Sequence, residues 1–121
     1  LNNNIEVIII SNTSDSTREN LNNIQGHQKG GLSGKPIEKK STRLISKFYQ
    51  ILNGRIKIVG VGGVDSGQSA YEKFLAGADY VQLYTGMVFR GPNIVHMIKK
   101  ELKELLNKDG VKNFVEIIGK K

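Results

Sequence analysis

Two short apolar runs, Ile56 to Val61 and Tyr80 to Tyr84, each end in a glycine-bearing loop, and the two loops stand roughly 20 residues apart. The first run is rich in β-branched residues and is followed by Gly62-Gly63-Val64-Asp65-Ser66-Gly67; the second is followed by Thr85-Gly86. Runs of this kind, apolar without alternation, suit strands covered on both faces, as in parallel sheets. Glycines at a strand's end let the backbone approach a ligand closely, and Ser66 can cap the next helix so that its N–H groups point toward an anion. Two successive βα units would then present adjacent N–H-rich, hydroxyl-bearing loops on one edge of the sheet. A glycine at a strand end is also the ordinary signature of a turn, so the loops by themselves leave both readings open. Neither common nucleotide motif fits. A dinucleotide fingerprint starting at Gly60 would need a third glycine where Asp65 stands, and a phosphate loop ending at Gly34-Lys35 has Lys29 in place of its first glycine and Pro36 after the lysine.

A third apolar run, Ile5 to Ile10, ends at Ser11-Asn12-Thr13-Ser14, so three strands finish in hydroxyl, amide or glycine groups. Residues 15 to 40 lack a sustained period and are expected to form a long loop carrying Gly30-Gly31-Leu32-Ser33-Gly34-Lys35-Pro36. A loop of that length inside a compact domain is usually functional or disordered. Ser41 offers an N-cap to a helix with Leu44, Ile45, Phe48, Ile51 and Leu52 on one face and Asn53-Gly54 as its stop. A second helix is expected from about Ser66 to Ala76, burying Ala70, Phe74 and Leu75. A third begins near Pro92-Asn93 and presents Ile94, Val95, Ile98, Leu102, Leu105 and Leu106. Right-handed crossovers would set the three strands parallel with their C-terminal ends on one edge. The expected architecture is therefore α/β, about three βα units, with two open sheet edges that another segment or another copy of the chain must cover.

At 121 residues the chain is one domain at most. It has no cysteine, which removes disulfides, thiolate metal sites and cysteine nucleophiles, and its two histidines, His27 and His96, are isolated. No apolar run approaches the roughly 18 residues that span a bilayer, which sets the expectation of a soluble, cytoplasmic or peripheral chain. The formal net charge is +7, with Lys99, Lys100, Lys103 and Lys108 on one helix and Lys112, Lys120 and Lys121 near the end. The few aromatics fall at core spacings and offer no stacking platform, so the lysines read as a solvated face and no nucleic acid is expected as partner.

Taken in order, Ser11-Asn12-Thr13, Gly30 to Pro36, Gly60-Val61-Gly62-Gly63-Val64, and Gln82-Leu83-Tyr84-Thr85 with Gly91-Pro92 closely resemble the dihydroorotate dehydrogenase family in its membrane-associated, quinone-using class. The resemblance runs from about Ile5 to Gly119 and covers only the C-terminal part of that family's (β/α)₈ TIM barrel, so residues 1–121 are expected to be one piece of an FMN-binding barrel. It implies an FMN enzyme of pyrimidine synthesis that oxidises dihydroorotate to orotate and passes electrons to a quinone. By position, Asn12 and Thr13 would touch the orotate ring, and Ser11, Gly34, Gly63, Tyr84 and Thr85 match FMN-contacting positions, with Gly63 and Thr85 nearest the phosphate. The Gly30 to Lys35 loop would close over the flavin. Ser14 stands where a second threonine is more usual. The family's catalytic base, a serine on a loop of the N-terminal half, lies outside this chain; Ser14, Ser16 and Ser33 are not at its position. The N-terminal helical pair by which the family meets the membrane and admits quinone lies outside it as well. The implied partners are therefore the missing N-terminal half of the barrel or further copies of the chain. A second expectation is a truncated or degenerate remnant that keeps the fold signature without activity.

Overall fold

The computed structural model describes residues 3–15, 21, 26 and 28–120; Ser16 and His27 lie outside them. Strand β1 (Val7–Ile10) is followed by a 3₁₀ turn (Lys35–Ile37) that runs into helix α1 (Glu38–Leu52), and then come β2 (Lys57–Val61), α2 (Gly67–Leu75), β3 (Tyr80–Gln82), α3 (Thr85–Arg90) and α4 (Ile94–Lys108), closed by a 3₁₀ turn at Phe114–Ile117. The strands form one parallel sheet in the order β1-β2-β3. No helix among the described residues is long and apolar enough to cross a membrane.

Register decides which side chains meet the helices. Ile8 pairs with Ile58, and Gly60 pairs with Ile10 on one side and Val81 on the other; these rows face the helical layer. Ile10, Ile45, Leu52, Ile56, Ile58, Ala76 and Ala78 make one buried cluster beneath α1. Val64, Ala70, Tyr71, Phe74, Ile94, Ile98 and Ile117 make a second between α2 and α4. Gly60 lets the layers approach: a Cβ there would stand 2.9 Å from Ile45 Cδ1 and 3.0 Å from Ala78 Cβ, tighter than side chains tolerate.

The opposite rows are open, which corrects the expectation of strands covered on both faces. Val7, Ile9 and Tyr80 are 48%, 60% and 56% exposed, and Ile9 and Tyr80 flank Val59 in a single row across the sheet. Because side chains alternate along a strand, a sheet with helices on one side only buries every second residue. An apolar run therefore signals that both faces are meant to be covered, while this chain covers only one.

Helix boundaries differ from the expectation in instructive ways. Ser41 lies inside α1 rather than at its cap, and its hydroxyl donates to the Val61 carbonyl at the end of β2. The helix starts earlier, behind Pro36 at the head of a 3₁₀ turn, where a missing N–H costs nothing. Leu44, Ile51 and Val95, expected on buried faces, are exposed. The stop of α1 is as expected, with Asn53 left-handed at φ 48°. Ser66 caps α2 as expected, in a reciprocal box with Ser69. Helix α3 has no counterpart in the sequence reading, because six residues between Tyr84 and Gly91 carry too little period to register.

Tyr71 of α2 donates a short hydrogen bond to Asp109 at the end of α4. That bond, with burial added, pushes the Tyr71 hydroxyl up to about 12. The folded chain thus holds this proton more tightly than the unfolded one, whose tyrosine titrates near 10. The stabilisation is complete below pH 10 and is lost as pH rises toward 12. Tyr71→Phe is expected to flatten this alkaline loss of stability, followed by urea melts between pH 8 and 12. Ile58→Ala should cost about 2–5 kcal/mol by the cavity it leaves, whereas Ile9→Ala on the open face should cost about 0.5 kcal/mol or less; denaturant melts of the two variants check which face is the core.

Candidate functional site

The C-terminal ends of all three strands open into one cavity of about 610 Å³. Ser11, Asn12 and Thr13 reach it from the end of β1, Val61 to Asp65 from β2, Leu83 to Gly86 from β3, and Ser33 to Ile37 from the approach to α1. All seven residues singled out from the sequence, Ser11, Asn12, Thr13, Gly34, Gly63, Tyr84 and Thr85, line it. So do Ser33, Lys35, Asp65 and Gly86, which belong to the loops expected at the site, and Phe89 and Arg90, which were given no role. Phe89 and Arg90 were missed because they ride on α3. Of the Gly30 to Lys35 loop, Ser33, Gly34 and Lys35 reach the cavity; Gly31 instead packs against Thr13.

Several contacts hold this wall in place. The Thr85 hydroxyl donates to Ser33 Oγ at 2.9 Å, and Gly34 packs against the Thr85 methyl. Ser14 and Leu32 exchange backbone hydrogen bonds of 2.9 and 2.7 Å in an isolated antiparallel bridge. The Ser11 N–H donates to the Val61 carbonyl at 3.2 Å, tying β1's end to β2's. Asn12 Oδ1 accepts from the Thr13 N–H at 2.7 Å, which leaves the Asn12 NH₂ as a donor.

The anion-binding potential lies elsewhere than expected. The first turn of α2, read from the sequence as a set of N–H groups aimed at an anion, is already engaged. Gly67 donates to Glu101 Oε2 of α4 at 2.5 Å, Ser69 donates to Ser66 Oγ at 3.2 Å, and Asp65 and Ser66 donate to Ser69 Oγ at 2.9 and 3.0 Å. By contrast, the backbone N–H groups of Gly63, Thr85 and Gly86 make no hydrogen bond among the described residues. Gly63 sits just past the end of β2, Thr85 and Gly86 open α3 after β3, and all three residues line the cavity.

Charge beside them comes from one cluster. Lys35 Nζ lies 2.6 Å from Glu38 Oε2 and 3.2 Å from Asp65 Oδ1. The adjacent Glu38 carboxylate, helped by Asp65 and opposed by partial burial, holds the Lys35 ammonium above its ordinary value. Burial pushes the Asp65 carboxyl up, but the hydrogen bond and charge of Lys35, joined by the Ser66 and Ser69 hydroxyls, outweigh it and hold that group low. Arg90, the other cation lining the cavity, has no carboxylate within 4 Å among the described residues.

The family model described as "Dihydroorotate dehydrogenase" matches residues 1–106. The chain is 46% identical over 112 residues to "Dihydroorotate dehydrogenase (quinone)" of Deinococcus radiodurans, covering 93% of this chain and 30% of that protein. It is 45% identical over 115 residues to "Dihydroorotate dehydrogenase (quinone), mitochondrial" of Mus musculus, covering 95% and 29%. A crystal structure of ligand-free DHODH from Eimeria tenella superposes with a TM-score of 0.92 at 37% identity, over 95% of this chain and 32% of that one. The chain thus spans about three tenths of the length of these relatives, and its open three-stranded sheet is a stretch of a TIM barrel.

Gly63 has φ 76°, and a Cβ there would stand 2.4 to 2.9 Å from the Cβ, Cα and N of Glu38. Any side chain at this position meets the start of α1 as well as the cavity. Gly63→Ala is expected to destabilise the fold by about 1–3 kcal/mol through overpacking and the strained φ, a loss that a denaturant melt records with no ligand present.

Proposed function

We propose that this chain, which belongs to the dihydroorotate dehydrogenase family, supplies the phosphate-binding end and part of the substrate floor of an FMN enzyme that oxidises dihydroorotate to orotate and delivers the electrons to a quinone. What carries the reading is the convergence of Ser11, Asn12, Thr13, Gly34, Gly63, Tyr84 and Thr85 on one cavity whose uncommitted donors include the backbone N–H groups of Gly63, Thr85 and Gly86. A phosphate dianion matches that donor set, because N–H dipoles past a strand end and in the first turn of a helix stabilise negative charge, and Arg90 adds a cation to the same lining. The residues present therefore fit FMN's phosphate, with Gly63, Thr85 and Gly86 as its donors and Ser11, Gly34 and Tyr84 along the rest of the cofactor.

Bound FMN would supply the hydride-accepting ring. The chain's own part is orientation. The Asn12 NH₂ and the Thr13 hydroxyl can donate to the carbonyl edge of a flat orotate ring, and the hydroxyl can also accept from a ring N–H. Proton removal from the substrate falls to a base on the N-terminal part of the barrel, and quinone access falls to segments outside this chain too. Residues 1–121 act in this reading as one unit of a larger barrel, whose remaining wall covers Val7, Ile9 and Tyr80. Association with a membrane belongs, in this reading, to the complete enzyme.

Titration of FMN into the purified chain, followed by flavin fluorescence, tests the reading. Saturable binding is expected, weakened about tenfold in Thr85→Val by loss of the hydroxyl that holds Ser33 and the neighbouring wall against the site. No saturable change, or equal affinity in the variant, contradicts the assignment and favours a remnant that keeps the fold alone.

A further inference from the structure

Lys35 belongs to the glycine-rich segment that the Ser14–Leu32 bridge and Thr85 also hold, and its ammonium reaches two carboxylates from different parts of the fold. Glu38 begins α1, three residues on, and Asp65 lies 30 residues away in the β2–α2 loop. One ammonium against two carboxylates leaves the cluster with a net negative charge beside Gly63. A cation so committed, in a cluster of that sign, is a poor receiver for a phosphate dianion. Its geometry suits fastening.

We propose that Lys35 is a positioning residue of the cavity: it clamps the Ser33–Gly34 wall to the β2–α2 loop, so that Ser33 and Gly34 are held against Thr85 before any ligand arrives. Three observations carry this. First, the Lys35–Asp65 contact is the ionic tie between the loop ahead of α1 and the end of β2, at 3.2 Å. Second, Glu38 Oε2 is buried and has no hydrogen-bond partner of proper geometry among the described residues, so the Lys35 ammonium at 2.6 Å is what compensates its charge. Removing the ammonium strands a buried carboxylate oxygen, which costs more than loss of an exposed pair. Third, the residues next to Lys35 are those that touch Thr85, through the 2.9 Å Ser33 bond and the Gly34 packing contact. A displacement of Lys35 is therefore transmitted within two residues to the group proposed to bind phosphate.

The Lys35 side chain is itself 62% exposed, so solvent and salt weaken its pull on Asp65. The expected opening is modest and salt-dependent, which separates a clamp from a general loss of structure. Hydrogen exchange of the Leu32 and Ser14 amides, which bond to each other's carbonyls, reads the clamp without any ligand. In Lys35→Met these two amides should exchange about fivefold faster than in the parent chain, while the Asp79 amide, bonded to Ile58 at the sheet's far end, keeps its rate. Lys35→Arg should restore the parent rates, and Glu38→Gln in the Lys35→Met background should recover part of the loss by removing the stranded charge. In 1 M salt the parent should approach the Lys35→Met rates and the variant should change little. Unchanged Leu32 and Ser14 rates in Lys35→Met, or acceleration spread equally to Asp79, would overturn the clamp.

Only the consequence for ligand rests on the proposed function. If the amides respond as expected and the parent chain binds no FMN, the clamp stands and the flavin reading fails. If FMN binds and the amides do not respond, the flavin reading stands and the clamp fails.

Discussion

Everything at the ligand-facing end of this molecule hangs on how closely the end of β2 lies against the start of α1. Gly63 packs on the backbone of Glu38, the Ser41 hydroxyl reaches the Val61 carbonyl, and the fully buried Lys73 of α2 donates to the Glu38 carbonyl at 3.0 Å and to Thr42 Oγ1 at 2.7 Å. Glu38 is thus gripped from three elements. Its carbonyl also accepts from Thr42 at 2.8 Å, and its carboxylate faces Lys35. Only a glycine permits the first of these contacts, which gives Gly63 a packing role in addition to any contact with a ligand.

The donors available to an anion follow from that arrangement. Gly67 and Ser69 in α2's first turn are spent on Glu101 and Ser66, while the N–H groups of Gly63, just past β2, and of Thr85 and Gly86, in the first turn of α3, face the cavity without a partner among the described residues. Helix packing and ligand binding therefore draw on separate sets of N–H groups. The sheet is divided in the same way: one face is closed by α1, α2 and α4, and the other presents Val7, Ile9 and Tyr80 to solvent. In a barrel that second face would be the interior, where inward side chains pack in layers.

Local signals were legible and long-range ones were not. The ends of β1 and β2, the Ser66 cap and the Asn53-Gly54 stop depend on residues within a turn of one another, and each is found in the fold, whereas β3 stops at Gln82, two residues before the expected Tyr84. The start of α1 was misread because Ser41 is an equally good cap by type, and nothing near it in sequence announces that its hydroxyl serves Val61, 20 residues on. Glu101 filling the N-terminus of α2 is a contact over 34 residues, visible only once α4 packs beside it. The seven candidate residues came from the family resemblance, and the reading of the strand ends points to the same edge of the sheet. Arg90 carries no such local mark, and it joins the cavity through α3.

The central claim is that the phosphate-binding end of a flavin site persists in these three βα units, built from backbone N–H groups. The most direct test follows the amide resonances of Gly63, Thr85 and Gly86 while FMN, and separately riboflavin, is added to the chain. The account predicts saturable shifts at these three amides with FMN and little response to riboflavin, which lacks the phosphate. Shifts of equal size with both compounds, or FMN-induced shifts confined to the lysine-rich face of α4, would contradict it.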